Sequence, residues 1–141
     1  MNIIETASLL IGRTLLGMYF VLPGAQKIFQ YEMMTQYMLK HSVPLTSILL
    51  PVTIVIQITL GVAIIIGLKA KPAAFLLAGL TLVISIYMHN FWNLPEGGNV
   101  QHETQNFFKN MGIMAGLLIL AARGAGQLSI DALKGKRDRF L

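Results

Sequence analysis

Long runs of apolar residues, separated by short polar segments, dominate this chain. Four runs approach the roughly 20 residues that a helix needs to cross a lipid bilayer, and they cover residues 7–29, 45–67, 72–92 and 104–122. Apolar and polar positions do not alternate with a period of two within the runs, so the pattern excludes strands. It predicts an all-α fold, an integral membrane four-helix bundle in one domain over residues 1–141, with a basic tail over 123–141.

Turn-forming residues separate the predicted spans. Residues 69–72 form a short basic connection in which Pro72 is placed to open the third helix. Residues 94–99 contain a proline and two glycines, which is typical of a loop. Gly124 and Gly126 end the fourth span. The segment 30–44 is less apolar, and its methionines and tyrosines predict a short helix at the membrane interface.

The composition indicates the same class of protein. Only 12% of the 141 residues are charged, 55% are hydrophobic, and the mean hydropathy is +0.65. A soluble domain has about 25% charged residues, and a disordered chain is poor in large aliphatic residues, so both classes are excluded and a lipid bilayer is the expected surrounding. The chain has no cysteine, which excludes disulfides, iron–sulfur clusters and thiolate-bound metals within it.

Positive charge lies at the ends of the apolar runs. The formal net charge is +5, but the basic residues do not form the stripe that binds nucleic acid, so we expect no nucleic-acid partner. An even number of spans places both termini on one side, and that side carries most of the basic residues: Lys69, Lys71, Arg123, Lys134, Lys136, Arg137 and Arg139. Because basic segments stay inside, we expect both termini to be cytoplasmic.

Polar residues inside the spans are the candidates for function, because an ionisable group there costs about 3 kcal/mol or more without a partner. At about 1.5 Å of rise per residue, five of them lie between the outer end and the middle of the spans: Lys27, Gln57, His89, Asn106 and Lys109. We predict that they line one ligand-binding site near the outer face, suited to an anionic or carbonyl-bearing ligand. Alternatively, both lysines snorkel to lipid phosphates, or Glu96 and Glu103 fold back onto them.

Two further features predict contacts that hold the bundle together. Arg13 lies alone in the inner half of the first span. A guanidinium favours a planar pair of oxygen atoms, so we predict a bond from Arg13 to Asp131, just after the fourth span. Gly112 and Gly116 form a GxxxG pair, which predicts close helix packing within the bundle or at a dimer face.

Metal chemistry and the common catalytic motifs have little support. His41, His89 and His102 all fall on the predicted outer side, but no two of them are spaced as metal ligands on one helix. We therefore expect no metal site. Hydrolase, P-loop, Rossmann and zinc-protease motifs are missing from the chain, and we assign no catalytic residue.

Several short motifs, taken in order along nearly the whole chain, resemble the DoxX family of small bacterial membrane proteins. They are Gly12-Arg13-Thr14-Leu15-Leu16-Gly17, Gly24-Ala25-Gln26-Lys27, Gly61 with Gly67, His89-Asn90-Phe91-Trp92, Asn106-Phe107-Phe108-Lys109-Asn110 and Gly124-Ala125-Gly126-Gln127-Leu128-Ser129-Ile130-Asp131. The resemblance implies a four-helix protein of the bacterial inner membrane. Family members often carry a glutamate where this chain has Gln57. The chain therefore lacks the carboxyl group that a proton relay at that position would need.

The resemblance also implies a link to membrane redox chemistry. Described members are the membrane subunit of a thiosulfate:quinone oxidoreductase, and others assemble with soluble redox or detoxifying enzymes. The leading hypothesis is therefore a membrane subunit of, or anchor for, a quinone-linked oxidoreductase or redox-stress complex, with a quinone as its cofactor. Lys27 and Lys109 would stabilise negative charge on a quinone oxygen, and His89 would carry a proton. Gln57 and Asn106 would orient the ring.

Two other functions stay open at this point. A carrier or channel for a small anion would use the same lysines as its entrance and Arg13 as its exit. A non-catalytic membrane scaffold would use the basic tail to dock an acidic protein or anionic lipid. The sequence leaves enzymatic activity, a partner subunit and a homo-oligomer unassigned.

Overall fold

The computed structural model describes residues 2–95 and 97–137 of the chain, and all regular structure in these residues is helical. The helices are α1 (Ile3–Phe29), α2 (Tyr31–Lys40), α3 (Thr46–Ile66), α4 (Ala70–Met88), α5 (Val100–Arg123) and α6 (Ile130–Arg137), with a short 3-10 turn at Phe91–Asn93. The all-α prediction is confirmed. Within the predicted tail, residues 130–137 form α6, whereas residues 138–141 lie outside the described part of the chain.

Three helical segments are long and apolar enough to cross a membrane: Ile3–Phe29, Thr46–Ile66 and Ala70–Asn93. Large apolar side chains on these helices are exposed, including Ile11, Leu15, Val55, Phe75 and Leu76. Their exposure is consistent with a bilayer around the helices, because lipid chains replace the missing protein contacts. Helix α5 covers the fourth predicted span, but the first half of α5 is rich in polar residues and α5 is not among the three.

Helix ends follow local capping chemistry. At the start of α1, the side chain of Asn2 accepts a hydrogen bond from the Glu5 amide at 2.9 Å, and the Asn2 amide donates to the Glu5 carboxylate at 3.0 Å. Asn99 caps α5 by accepting from the His102 amide at 3.2 Å. Helix α3 ends at Ile66 and is capped by Gly67, whose φ of +69° is the left-handed conformation that favours glycine.

Glycines bring α1 and α3 into close contact. A Cβ atom added at Gly17 would lie 2.6 Å from the Gly61 carbonyl oxygen, and one added at Gly61 would lie 2.9 Å from the Gly17 carbonyl oxygen. By contrast, an added Cβ at Gly112 meets no atom within 4 Å, and one at Gly116 meets Leu16 at an ordinary 3.5 Å. Among these glycines, Gly17 and Gly61 thus mark a close contact between α1 and α3, whereas the GxxxG pair of α5 does not mark one within the described residues.

The bundle consists of two helix pairs, α1 with α3 and α4 with α5, joined through contacts between α3 and α4. The main core lies where the pairs meet and includes Phe20, Ile64, Leu77 and Leu117, each at most 2% exposed. We call the end that contains the α3–α4 turn and residues 124–131 the clamp end. The opposite end, which contains α2 and residues 89–99, is the cavity end. Helices α1 and α5 meet in few places, which leaves a cleft between them towards the cavity end.

Candidate functional site: a polar cavity between the helices

A cavity of about 370 Å³ lies at the cavity end and receives side chains from α1 to α5. Its wall is largely apolar, with Phe20, Met38, Leu50, Ile84 and Met88 among the lining residues. The polar and titratable lining residues are Tyr19, Lys27, Tyr37, Thr53, Gln57, Thr81, His89, Lys109 and Asn110. An apolar cavity with a few convergent polar groups is the usual form of a small-molecule site.

The structure brings together Lys27, Gln57, His89 and Lys109, four of the five residues that the sequence assigned to one site. Asn106 is not among the lining residues. Its side chain instead accepts a hydrogen bond from the exposed Lys109 ammonium at 2.9 Å. Asn110, one helical turn further along α5, is buried and lines the cavity in its place.

The Lys27 ammonium has only neutral oxygen partners in the described residues. It donates to Gln57 Oε1 at 3.0 Å and to the Pro23 carbonyl at 3.4 Å. Glu96 and Glu103 were the two carboxylates proposed to fold back onto the lysines. The structure describes Glu103, and Glu103 binds His89 instead. Glu96, the other, lies outside the described residues. Two carbonyl dipoles hold the ammonium without cancelling its charge, so the cavity keeps a positive character on this side.

A second polar group, which the sequence did not assign to the site, lies deeper in the cavity. The Tyr19 hydroxyl donates to Asn110 Oδ1 at 2.9 Å, and Asn110 Nδ2 donates to Ser85 Oγ at 3.1 Å. Ser85 Oγ in turn donates to the Thr81 carbonyl at 2.7 Å. Asn110 and Ser85 are at most 5% exposed. In the sequence, this group could have been found from a serine and an asparagine that lie within two neighbouring predicted spans. Tyr19 gave no such signal, because tyrosine is common at helix surfaces.

His89 and Glu103 join the two helices that border the mouth of the cavity. His89 Nδ1 and Glu103 Oε2 are 2.7 Å apart, and the two side chains are 17% and 14% exposed. Edge-to-face rings support the same junction, with the centroids of Trp92 and Phe107 5.5 Å apart. These contacts tie the end of α4 to the beginning of α5 and keep the rim of the cavity in place.

At the clamp end, Arg13 is 4% exposed and binds backbone rather than a side chain. Its guanidinium donates to the carbonyl oxygens of Ala125, at 3.3 Å, and of Leu128. It lies directly over Gly67, where an added Cβ atom would overlap Nη1 of the guanidinium. Arg13 therefore pins the segment after α5 onto the α3–α4 turn.

The predicted bond between Arg13 and Asp131 is not formed, and this corrects the expectation from the sequence. Asp131 instead accepts hydrogen bonds from the Lys69 amide at 2.7 Å and the Ala70 amide at 3.0 Å. These amides begin α4 and have no partner within their own helix, so a carboxylate is favourable there. Arg13 and Asp131 hold the same segment through separate backbone contacts.

A family profile for DoxX matches residues 8–90, which is more than half of the chain. The chain belongs to the DoxX family. The resemblance inferred from the sequence motifs is thereby confirmed. The matched range contains most of α1 and all of α2, α3 and α4, and with them Arg13, Lys27, Gln57 and His89.

Two Escherichia coli proteins are similar to this DoxX-family chain over most of its length. Inner membrane protein YqjF is 34% identical over 97% of this chain and 99% of the relative. Inner membrane protein YphA is 28% identical over 87% of each chain. ER-derived vesicles protein ERV29 of Saccharomyces cerevisiae is 32% identical over 58% of this chain but only 26% of its own length. No solved structure matches the chain.

Proposed function

We propose that this DoxX-family protein is a four-span protein of the bacterial inner membrane with both termini in the cytoplasm. Both full-length relatives named above are inner membrane proteins. The C-terminal half of α5, residues 111–122, is apolar and packs along α4, which supports a fourth crossing. The clamp end carries Lys69, Lys71 and Arg123, as expected of a cytoplasmic face.

A labelling experiment tests this topology directly. The chain has no cysteine, so a single introduced cysteine reports on one position. Lys71→Cys at the clamp end should react with a membrane-impermeant maleimide only after cells are opened. Gln101→Cys at the cavity end should react in cells stripped of their outer membrane. The reverse labelling pattern would contradict the orientation.

We further propose that the cavity binds a quinone head group and that the protein is the membrane subunit of, or anchor for, a quinone-linked oxidoreductase. The observation that carries the proposal is a hydrogen-bond donor, Lys27, held by neutral oxygens inside a largely apolar wall. A carbonyl-bearing ring fits this environment, since its faces need apolar contact and its oxygen needs a donor. A bound quinone would supply the electron-transfer chemistry, and this chain would hold and orient it.

The position of each polar group supports a division of roles. Lys27 and Lys109 lie on opposite borders of the cleft, on α1 and α5, and favour negative charge on a bound oxygen. His89 is held at the mouth by Glu103, at 2.7 Å, where its imidazole is placed to pass a proton to or from a bound ring. Gln57 orients Lys27 through their 3.0 Å hydrogen bond.

Binding of a short-chain quinone to the protein in lipid nanodiscs tests this proposal. The double variant Lys27→Met, Lys109→Met should lose roughly tenfold or more in affinity, because it removes both charged donors. Lys40→Met is the matched control, since Lys40 is exposed at the end of α2 and does not line the cavity. Unchanged quinone binding by the double variant would disprove this placement.

A small-anion carrier is the second candidate, and the lack of a carboxylate near Lys27 in the described residues favours it. The apolar wall favours the quinone, because an inorganic anion would leave its hydration shell without replacement. Anion flux into liposomes that depends on Lys27 would support the carrier. The partner enzyme of a redox complex is best sought by gentle detergent purification, followed by mass spectrometry of co-purified proteins and small molecules.

A further inference from the structure

The cavity contains two polar groups at different depths, and their separation constrains the ligand. The upper group is Lys27 with Gln57, held at the Pro23 carbonyl. The lower group is Asn110 with Tyr19 and Ser85. On α1, Tyr19 lies one turn deeper than Pro23, and four residues of helix correspond to a rise of about 6 Å.

Helices α4 and α5 also place the lower group below the mouth of the cavity. Ser85, which holds the lower group, lies four residues before His89, which borders the cavity mouth. On α5, the buried Asn110 likewise lies one turn deeper than Asn106. The wall of the same cavity includes Phe20 and Ile84, so an apolar part of a ligand has apolar side chains to contact.

Each polar group retains one hydrogen-bond donor without a partner in the described residues. The Lys27 ammonium has three N–H groups, of which Gln57 and Pro23 take two. The Asn110 amide has two N–H groups, of which Ser85 takes one. The Tyr19 hydroxyl occupies Asn110 Oδ1 and so fixes the direction of that amide.

We infer that the cavity recognises two oxygen atoms at opposite ends of one ring, with Lys27 donating to the upper oxygen and Asn110 to the lower one. The inference rests on the proposed quinone site and narrows its ligand to para-diones. Asn110 is the specificity-determining residue, and Tyr19 and Ser85 are positioning residues that hold its amide. A ligand with a single oxygen would leave the Asn110 donor buried and without a partner, which is unfavourable.

A pair of probes with one bicyclic skeleton tests the inference: para-naphthoquinone, which has two opposed oxygens, and α-tetralone, which has one. Trp92 is the only tryptophan of the chain, so quenching of its fluorescence by the quinone in nanodiscs reports binding. Displacement of the quinone then gives the affinity for tetralone. The wild-type protein should prefer naphthoquinone by roughly two- to tenfold, the worth of one hydrogen bond.

The variants Asn110→Leu and Asn106→Leu make a matched comparison, with the same substitution one turn apart on α5. Asn110→Leu should reduce the preference to near unity, whereas Asn106→Leu should keep it. If Asn110→Leu does not fold, Tyr19→Phe should still reduce the preference, because the amide loses the hydroxyl that orients it. Tyr87→Phe is the control for that change, since Tyr87 is exposed and does not line the cavity.

The possible outcomes separate the inference from the proposed function. If wild-type protein binds both probes equally, or if Asn106→Leu rather than Asn110→Leu abolishes the preference, the two-oxygen inference is wrong and the quinone site stands. If naphthoquinone does not bind at all, the proposed function fails.

Discussion

Arg13 and Lys27 are two cations on the same helix, and their surroundings differ. Arg13, at the clamp end, is 4% exposed and donates to the carbonyl oxygens of Ala125 and Leu128. Lys27, at the cavity end, also has carbonyl partners, but it lines a cavity of about 370 Å³. The first cation is closed in by its own chain, and the second faces space that a ligand can fill. The comparison shows that room beside a charge within a helix bundle, rather than the charge alone, separates a structural contact from a candidate site.

The matched variants Arg13→Met and Lys27→Met give the largest expected difference. Arg13→Met should lower the free energy of unfolding by about 4 kcal/mol, because the buried carbonyl oxygen of Ala125 and the partly buried one of Leu128 lose their charged donor. Lys27→Met should lower it by only about 1 kcal/mol, because Lys27 is half-buried and its main loss is one hydrogen bond to Gln57 beside an open cavity. Denaturation in mixed detergent micelles measures both values. Equal losses would contradict the division into a structural and a site cation.

Gly67→Ala tests the contact between Arg13 and the α3–α4 turn by changing the turn instead of the arginine. The added methyl group would overlap Arg13 Nη1, and the φ of +69° disfavours any side chain. We expect a loss of about 3 kcal/mol, combining the strain of a left-handed residue and the displaced guanidinium. Gly79→Ala is the control, because an added Cβ there meets no atom within 4 Å. Thermal unfolding midpoints in detergent that coincide for the two variants would rule out tight packing over Gly67.

Asp131→Asn should have a smaller effect at the same end. The amide keeps one acceptor oxygen, so one of the two hydrogen bonds from the Lys69 and Ala70 amides remains. A lost capping bond costs about 1 kcal/mol. A loss as large as that of Arg13→Met would instead indicate that the two residues act as one ion pair.

The smallest expected effect is a change in stability with pH that comes from Tyr37 at the cavity end. Burial raises the pKa of Tyr37, and the carboxylate of Glu103 raises it further. The folded state therefore holds the Tyr37 proton more tightly than the unfolded state does, which stabilises the folded protein. This stabilisation is fully present below pH 10.0, the ordinary pKa of tyrosine, and is lost as the pH rises beyond it.

Thermal unfolding measured from neutral pH to above pH 10.0 checks this expectation. Tyr37→Phe should lose less stability over the alkaline range than wild type, and Glu103→Gln should fall between them. Coincident curves for wild type and Tyr37→Phe would show that Tyr37 does not contribute to the alkaline loss.

The hydrophobic pattern determined much of the helical layout. The predicted span 45–67 corresponds to Thr46–Ile66, and the spans 72–92 and 104–122 overlap α4 and α5. Apolar run length and turn residues suffice for this, because a segment in lipid must satisfy its backbone hydrogen bonds internally. The motifs also sufficed to identify the DoxX family.

Which polar residues meet was decided only by the tertiary structure. Asn106 and Asn110 look equivalent in the sequence, but the rotation of α5 against α4 turns Asn110 towards Ser85 and leaves Asn106 beside Lys109. Likewise, the sequence suggested Asp131 as the partner of Arg13, whereas backbone carbonyls exposed after α5 ends bind the guanidinium. Spacing along a chain gives depth in the bilayer through the helical rise. The direction that each side chain faces depends on how the helices pack, and a single sequence does not contain that information in readable form.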